Sequence, residues 1–383
     1  NGKSGQEAAD FPGAYIFPNG EQRAYRGSRS YDNPFWVVNR APFKDDVNRI
    51  IQSVNLKYQL TDWMSFVYKL GVDHYSDKRN AAWDINSGSE TTGRVDFSTR
   101  LSTDLNSDLL LLIDKDFGEE WGINGTFGYN FFSSDLTNRS TTGLGMTKQG
   151  FFHISNVATV QTNEGIFKRQ LAGVFGDIRL SWRNILHLNL TGRNDWSSTL
   201  PNENNSFFYP TASLGLEFTE LLGLTDSKFL SYGKLRASYG EVGNDAGLYL
   251  TANYFQQADA DGDNLLPANS FPAFGINAFE RAGTLGNNDL RAEKTATFEI
   301  GADLKLFLGR MSLDFTYYKA TTTDLIVEAN ISAASGFIIA PVNAGKIENE
   351  GIELMLGVTP IRATHFRWDI NANFTQFENI VTE

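Results

Sequence analysis

The sequence contains no cysteine, so it has no disulfides and no thiolate chemistry. Its four histidines, His74, His153, His187 and His365, are scattered, and none stands at metal-ligand spacing from another. His187 and Asp195 share one phase of a strand, but a catalytic set also needs a positioned nucleophile, and the chain is not read as an enzyme. No run approaches the roughly eighteen apolar residues of a membrane-crossing helix. Cations are outnumbered, 33 Lys and Arg against 45 Asp and Glu, and the net charge of -12 argues against a nucleic-acid partner. Proline is limited to 10 of 383 residues while glycine reaches 35 and aromatics 13%. That composition is unusual for two or three soluble domains. The chain opens at Asn1 on a polar segment without an initiator Met or a signal peptide, which reads as a fragment of a longer, envelope-compatible precursor.

Alternation is abundant. From Glu293 to Tyr317, Ala296, Phe298, Ile300, Ala302, Leu304 and Leu306 take every second position, with Thr295, Thr297, Glu299, Gly301, Asp303 and Lys305 between them. After a turn at Leu308, Gly309 and Arg310, the pattern resumes with Met311, Leu313, Phe315 and Tyr317 against Ser312, Asp314, Thr316 and Tyr318. A period of two is an extended strand with two unlike faces. Here the polar face is too charged for a packed core. It meets bulk water, or else the apolar face meets lipid and the polar face lines a wet lumen.

The same pattern recurs along the chain. Residues 1–46 read as a loop region with an N-P-F-W turn at Asn33, and 47–376 as strands and loops. Apolar phases run through Ile50 to Leu60, Met64 to Val72, Val95 to Ile113, Trp121 to Phe131, Val174 to Trp182, Leu186 to Leu190, Ala212 to Phe218, Leu235 to Tyr239, Ile352 to Val358 and Phe366 to Phe374. Turns near 61, 117, 184, 223, 309 and 362 are short. Those near 84, 150, 200, 267 and 333 are long, including stretches 132–169, 193–201, 241–292 and 320–346. About twelve antiparallel strands with every second connection long is the pattern of a transmembrane β-barrel. Tyr58, Trp63, Trp121, Trp182, Phe218, Phe366 and Trp368 gather at the short-turn ends, where an interfacial aromatic girdle belongs. A secreted β-sandwich adhesin is the rival fold, and a passive outer-membrane porin the rival function.

Candidate site residues follow from phase. Arg94, Arg100, Arg179, Arg193, Arg236, Asp303, Asp314, Arg367 and Asp369 fall on the lumen phase, and their mixed signs argue against a channel selective for one charge. The D-A-D-G-D run at Asp259, Asp261 and Asp263 resembles the opening of a calcium loop. The twelfth position is Ser270 and not Glu, so an EF-hand is not supported and loop calcium is only a weak candidate. No other cofactor is expected. The Gly-x-Gly at Gly143 lacks the strand–helix setting of a phosphate cradle. Loop aromatics Trp83, Phe151, Phe152, Tyr254, Phe255, Phe271, Phe274, Phe279 and Phe337 are candidates for contact with substrate or a partner.

Eight segments resemble the barrel of the SusC/RagA-type TonB-dependent outer-membrane transporters of Bacteroidetes. They are N-P-F-W at Asn33, D-D-V-N-R at Asp45, L-T-D-W-M-S at Leu60, R-N-D-W-S-S-T-L-P at Arg193, S-F-F-Y-P at Ser206, L-R-A-S-Y-G-E-V-G-N at Leu235, N-N-D-L-R-A-E-K-T at Asn287 and N-A-G-K-I-E-N-E-G-I-E at Asn343. The resemblance implies a barrel of about 22 strands around a plug domain, of which about six would precede Asn1 and about four follow Glu383. It further implies TonB-driven uptake of a glycan oligomer or peptide, with a SusD-like surface lipoprotein as a lid and no catalysis. Segments resembling a plug, a TonB box or a carboxypeptidase-like extension are not among these residues, so energy-coupling residues cannot be mapped onto them.

Overall fold

The computed structural model describes residues 15–17, 20–23, 31–88, 90–224, 226–258 and 276–382. The N-P-F-W segment is not a turn but the start of a helix, α1 (Pro34–Arg40). Asn33 caps it by accepting from the Phe35 N–H at 3.0 Å, and proline fits a first turn whose N–H groups have no helical partner. Trp36 is fully buried, its Nε1 donating to Ser87 Oγ at 2.9 Å.

The strands are β1 (Phe43–Thr61), β2 (Met64–Trp83), β3 (Arg94–Phe117), β4 (Trp121–Met146), β5 (Val157–Trp182), β6 (Leu186–Ser197), β7 (Ser206–Glu217), β8 (Leu230–Asn244), β9 (Phe255–Gln257), β10 (Phe279–Arg281), β11 (Glu293–Leu306), β12 (Met311–Thr323), β13 (Ile326–Asn330), β14 (Ile339–Asn343), β15 (Ile347–Arg362) and β16 (Arg367–Val381). Twelve of them form one antiparallel sheet in the order β1-β2-β3-β4-β5-β6-β7-β8-β11-β12-β15-β16. The pairs β9–β10 and β13–β14 are small hairpins inside the two longest connections.

Register preserves the two faces across the whole sheet. Ile300 stands opposite Ala237 on one side and Tyr317 on the other, and Asp303 stands opposite Lys234 and Asp314. A one-residue slip at any ladder would mix the faces. Phe298 and Ile300 remain 44% and 42% exposed, which rules out a second sheet packed on them. Among the described residues, buried apolar clusters lie toward the long-loop end, around Ala82, Val95 and Met146 and around Leu200, Ala246 and Leu290.

Several strands outrun their alternation. The stretch 132–169, expected as a loop, is mostly strand: β4 continues to Met146 and β5 starts at Val157. Likewise β2 runs on to Trp83, β1 begins at Phe43, β6 extends through Asp195 to Ser197, and β16 reaches Val381. The cause is solvent. Beyond the apolar band both faces of a strand meet water, so S-S-D-L-T-N-R-S-T-T in β4 keeps its ladder without keeping its period.

Short turns follow their residues. Arg183 and Asn184, at φ 50° and 56°, are the two left-handed residues of the three-residue link between β5 and β6, a geometry whose twist suits a hairpin. Between β11 and β12, Phe307, Leu308 and Gly309 all take positive φ.

Candidate functional site

The arginines and aspartates expected on the lumen phase share the polar face of the sheet, and most are ion-paired, usually with the residue two places along the same strand. Arg236 of β8 is the most heavily engaged. Its Nη1 donates to both carboxylate oxygens of Asp303 at 2.9 Å, and its Nη2 to Asp314 and Thr316 at 2.6 Å each. Asp303 and Asp314 are direct register partners, and like charges opposed in this way repel. The guanidinium between them turns the repulsion into a three-strand staple. Gly301 leaves the room: a Cβ there would stand 2.5 Å from Arg236 Nε.

Arg193 pairs with Asp195 at 2.7 Å and reaches Asn130 at 3.4 Å, while the Tyr209 hydroxyl donates to the same aspartate. Arg179 pairs with Asp177 at 3.0 Å, and Arg367 with Asp369 at 2.8 Å. Arg94, at the far long-loop end of β3, bonds Asp96 at 2.9 Å and Glu90 at 3.2 Å. Hydrogen bonding to Asp96, aided by Glu90, holds its pKa above the ordinary arginine value despite partial burial. Arg100 alone of this set has no hydrogen-bond or ion-pair partner among the described residues.

The sheet curves so that polar-face side chains of seven strands, from Asp114 and Asp116 of β3 to Glu299 of β11, line one recess of about 470 Å³. His187 lies on its wall but is not brought to a nucleophile; its Nε2 contacts the Asn184 carbonyl at 3.1 Å. No cluster of ligating side chains suited to a metal ion occurs among the described residues. Asp259, Asp261 and Asp263 lie outside them, as do Phe271 and Phe274.

Five of the seven short-turn aromatics stand exposed: Tyr58 at 68%, Phe366 at 58%, Trp121 and Trp368 at 50% and Trp63 at 37%. Trp182 packs against Trp121 with ring centroids 6.4 Å apart. Phe218 does not extend β7. It opens a one-turn helix (Phe218–Leu221) and lays its ring over Gly233, where a Cβ would collide with it. Sequence reasoning missed Lys115, whose Nζ sits 4.6 Å from the Trp63 ring centre and 5.1 Å from that of Phe117. It also missed the edge-to-face pair Phe229–Phe307 at 5.2 Å. An apolar stem carrying a cation among aromatic rings is the chemistry of a lipid–water boundary.

At the long-loop end the segments carrying the resemblance meet. Leu200 of R-N-D-W-S-S-T-L-P, Leu290 of N-N-D-L-R-A-E-K-T and Ala246 form one buried cluster. Asp245 beside it accepts from Arg169 Nη2 at 2.6 Å, Ser197 Oγ at 2.5 Å and Thr199 Oγ1 at 3.0 Å. Asn343 donates to the carbonyls of Arg291 and Asp324 at 2.9 and 2.8 Å. Asp84, wholly buried, gathers Arg40 at 3.2 Å and the N–H groups of Ile85 and Gly150 at 2.9 Å. Trp83 and Phe337 are not free platforms, since Arg94 and Arg281 cover their rings at 5.4 and 4.0 Å. Phe255 and Phe279 of the β9–β10 hairpin are 73% and 65% exposed.

Residues 3–382 match the family model described as TonB dependent receptor-like, beta-barrel. A TonB-dependent receptor of Formosa agariphila is 27% identical over 273 residues, covering 69% of this chain and 26% of the relative. The TonB-dependent receptor SusC of Bacteroides thetaiotaomicron is 28% identical over 225 residues, covering 56% of this chain and 21% of SusC. The chain thus spans about a third or less of the curated relatives it matches. In structure it superposes on the RagAB peptide transporter with a TM-score of 0.82 at 18% identity, covering 95% of this chain and 40% of that one. Family transporters of this kind are not enzymes, and they reside in the outer membrane of Gram-negative bacteria. The chain belongs to the TonB-dependent receptor-like β-barrel family, as a SusC/RagA-like barrel portion.

Proposed function

We propose that the chain is part of the wall of an energised importer that moves glycan oligomers or peptides across the outer membrane. In this reading the polar face lines the lumen and the apolar face meets lipid. The short turns lie in the periplasm, with the aromatic girdle beside them, and the long loops face outward beneath a SusD-like lipoprotein. TonB acts through parts of the whole protein beyond this barrel portion. The edge strands β1 and β16 each pair on one side only, and an unpaired edge is untenable in lipid; further strands of the whole protein complete the ladder.

The observation that carries the reading is the division of the sheet into an outer phase with an apolar band and an ion-paired, concave inner phase broad enough to form a recess across seven strands. RagAB, which the chain resembles in fold, is a peptide transporter. The exposed Phe255 and Phe279 suit the surface under a lid, because bare aromatic area in water is costly unless covered.

The test is oligomer uptake by cells carrying the whole protein. Uptake should stop when TonB is deleted or the proton gradient is collapsed. Uptake that persists under both conditions identifies a passive pore and overturns the energised reading. Phe279→Ser combined with Phe255→Ser should weaken lipoprotein co-purification while leaving the barrel heat-modifiable on gels; unchanged co-purification removes the docking role of this hairpin.

A further inference from the structure

On the polar face of β1, β2 and β3, toward the long-loop end, lies a second recess of about 320 Å³ with an all-polar lining. Its charges balance, three arginines against three aspartates, but they do not all pair. Arg49 clasps Asp73 through Nε at 2.9 Å and Nη2 at 2.5 Å, and Arg79 holds one oxygen of Asp77 at 2.7 Å. Tyr75 donates to that same oxygen at 3.1 Å. Three groups are left over. Arg100 is exposed and has no partner among the described residues. Among the described residues Asp104 accepts only from Ser134 Oγ, at 2.6 Å. Asp77, the register partner of Arg100, is 2% exposed and its Oδ1 has no hydrogen-bond partner.

Arg100 and Asp104 share a strand and a face, four residues apart, so the free cation and the under-used carboxylate stand about 13 Å from one another. An extended peptide advances about 3.3–3.6 Å per residue, and its α-carboxylate and α-ammonium are separated by about that distance at a length of four residues. The only aromatic ring in the lining is Tyr75, and its hydroxyl is already committed. One half-buried ring is a sparse platform for stacking sugars, whereas the unpaired Arg100 and the under-used Asp104 match the charged termini of a peptide.

We propose that this recess is a subsite for short peptides with free termini, with Arg100 receiving the α-carboxylate and Asp104 the α-ammonium. The proposal rests on the importer reading above and selects peptide over glycan within it. Being in the long-loop half of the wall, the subsite would meet cargo before the recess near the short turns.

The test is titration of the purified full-length protein with tetra-alanine, its C-terminal amide, its N-acetyl form and maltotetraose. Wild-type protein should bind tetra-alanine and lose tenfold or more on amidation. Arg100→Met should lose a similar factor for the free acid and nothing for the amide, and Arg100→Lys should keep part of the binding. Asp104→Asn should weaken only ligands with a free amino terminus. Equal binding of the free acid and the amide, an Arg100→Met variant that binds tetra-alanine like wild type, or binding of maltotetraose without the peptide would each overturn the proposal. Energised oligomer uptake unaffected by Arg100→Met sinks the subsite and leaves the importer reading standing. Loss of TonB dependence in the wild type sinks the importer reading instead.

Discussion

Arg236 shows how single residues hold this wall together. It is a half-exposed cation, so solvent screens each of its ion pairs and neither is worth much alone. Its weight comes from what removal leaves: two aspartates facing each other across β11 and β12. Arg236→Met should therefore destabilise the barrel by about 1–3 kcal/mol, within the range for orphaning hydrogen-bonded charges. Adding Asp303→Asn and Asp314→Asn should restore most of it. Denaturant midpoints of the three proteins in detergent check this, and a single variant as stable as wild type would show the staple to be idle. Leu290 is the apolar counterpart. It is fully buried where three loop segments converge, so Leu290→Ala should cost about 2–5 kcal/mol. Most of that should appear as early protease cutting in the long loops, with the strands still intact. The motif letters around Leu290 and Asn343 were legible in the sequence, but their meeting was not. They lie far apart along the chain, and only the return of alternate strands to one end brings them together.

At the scale of the element, alternation located the strands wherever one face is apolar, and β11–β12 follows its reading almost residue for residue. It failed in β4 and β5, where ten or more residues of ladder carry polar side chains on both faces. The period of two reports contrast between the two sides of a sheet, and water on both sides removes the contrast. The helix α1 escaped for another reason: seven residues are too few for a helical period, although its Asn cap and following proline were in view. The same logic predicts the cost of trespass. Ile300→Lys places a charge on the apolar phase near the middle of β11 and should destabilise the barrel by about 2–4 kcal/mol in a bilayer. Thr297→Lys, on the polar phase of the same strand, should cost under about 0.5 kcal/mol. Equal penalties, measured by unfolding in lipid vesicles, would mean that the two phases meet the same medium.

At the scale of the molecule, the sheet separates two solvents. Its outer phase presents Leu, Ile, Phe and Trp side chains that no other part of the described chain covers, while its inner phase presents ion pairs around recesses. The asymmetric connections divide the other direction, tight turns with Lys115 among aromatic rings at one end and tied loops at the other. Net charge and strand count were within reach of the sequence. The recess walls were not, because they depend on the curvature of seven strands at once. This barrel portion contributes no native cysteine, which suits it to site-directed labelling. Single cysteines introduced one at a time from Ala296 to Lys305 in the whole protein, spin-labelled in lipid bilayers, report collision with oxygen, which favours lipid, and with a water-soluble nickel complex. Oxygen access should peak at 296, 298, 300, 302 and 304 and nickel access at 297, 299, 301, 303 and 305. Two profiles that rise and fall together, or a nickel maximum at 298 and 300, would contradict a wall with lipid on one side and a wet lumen on the other.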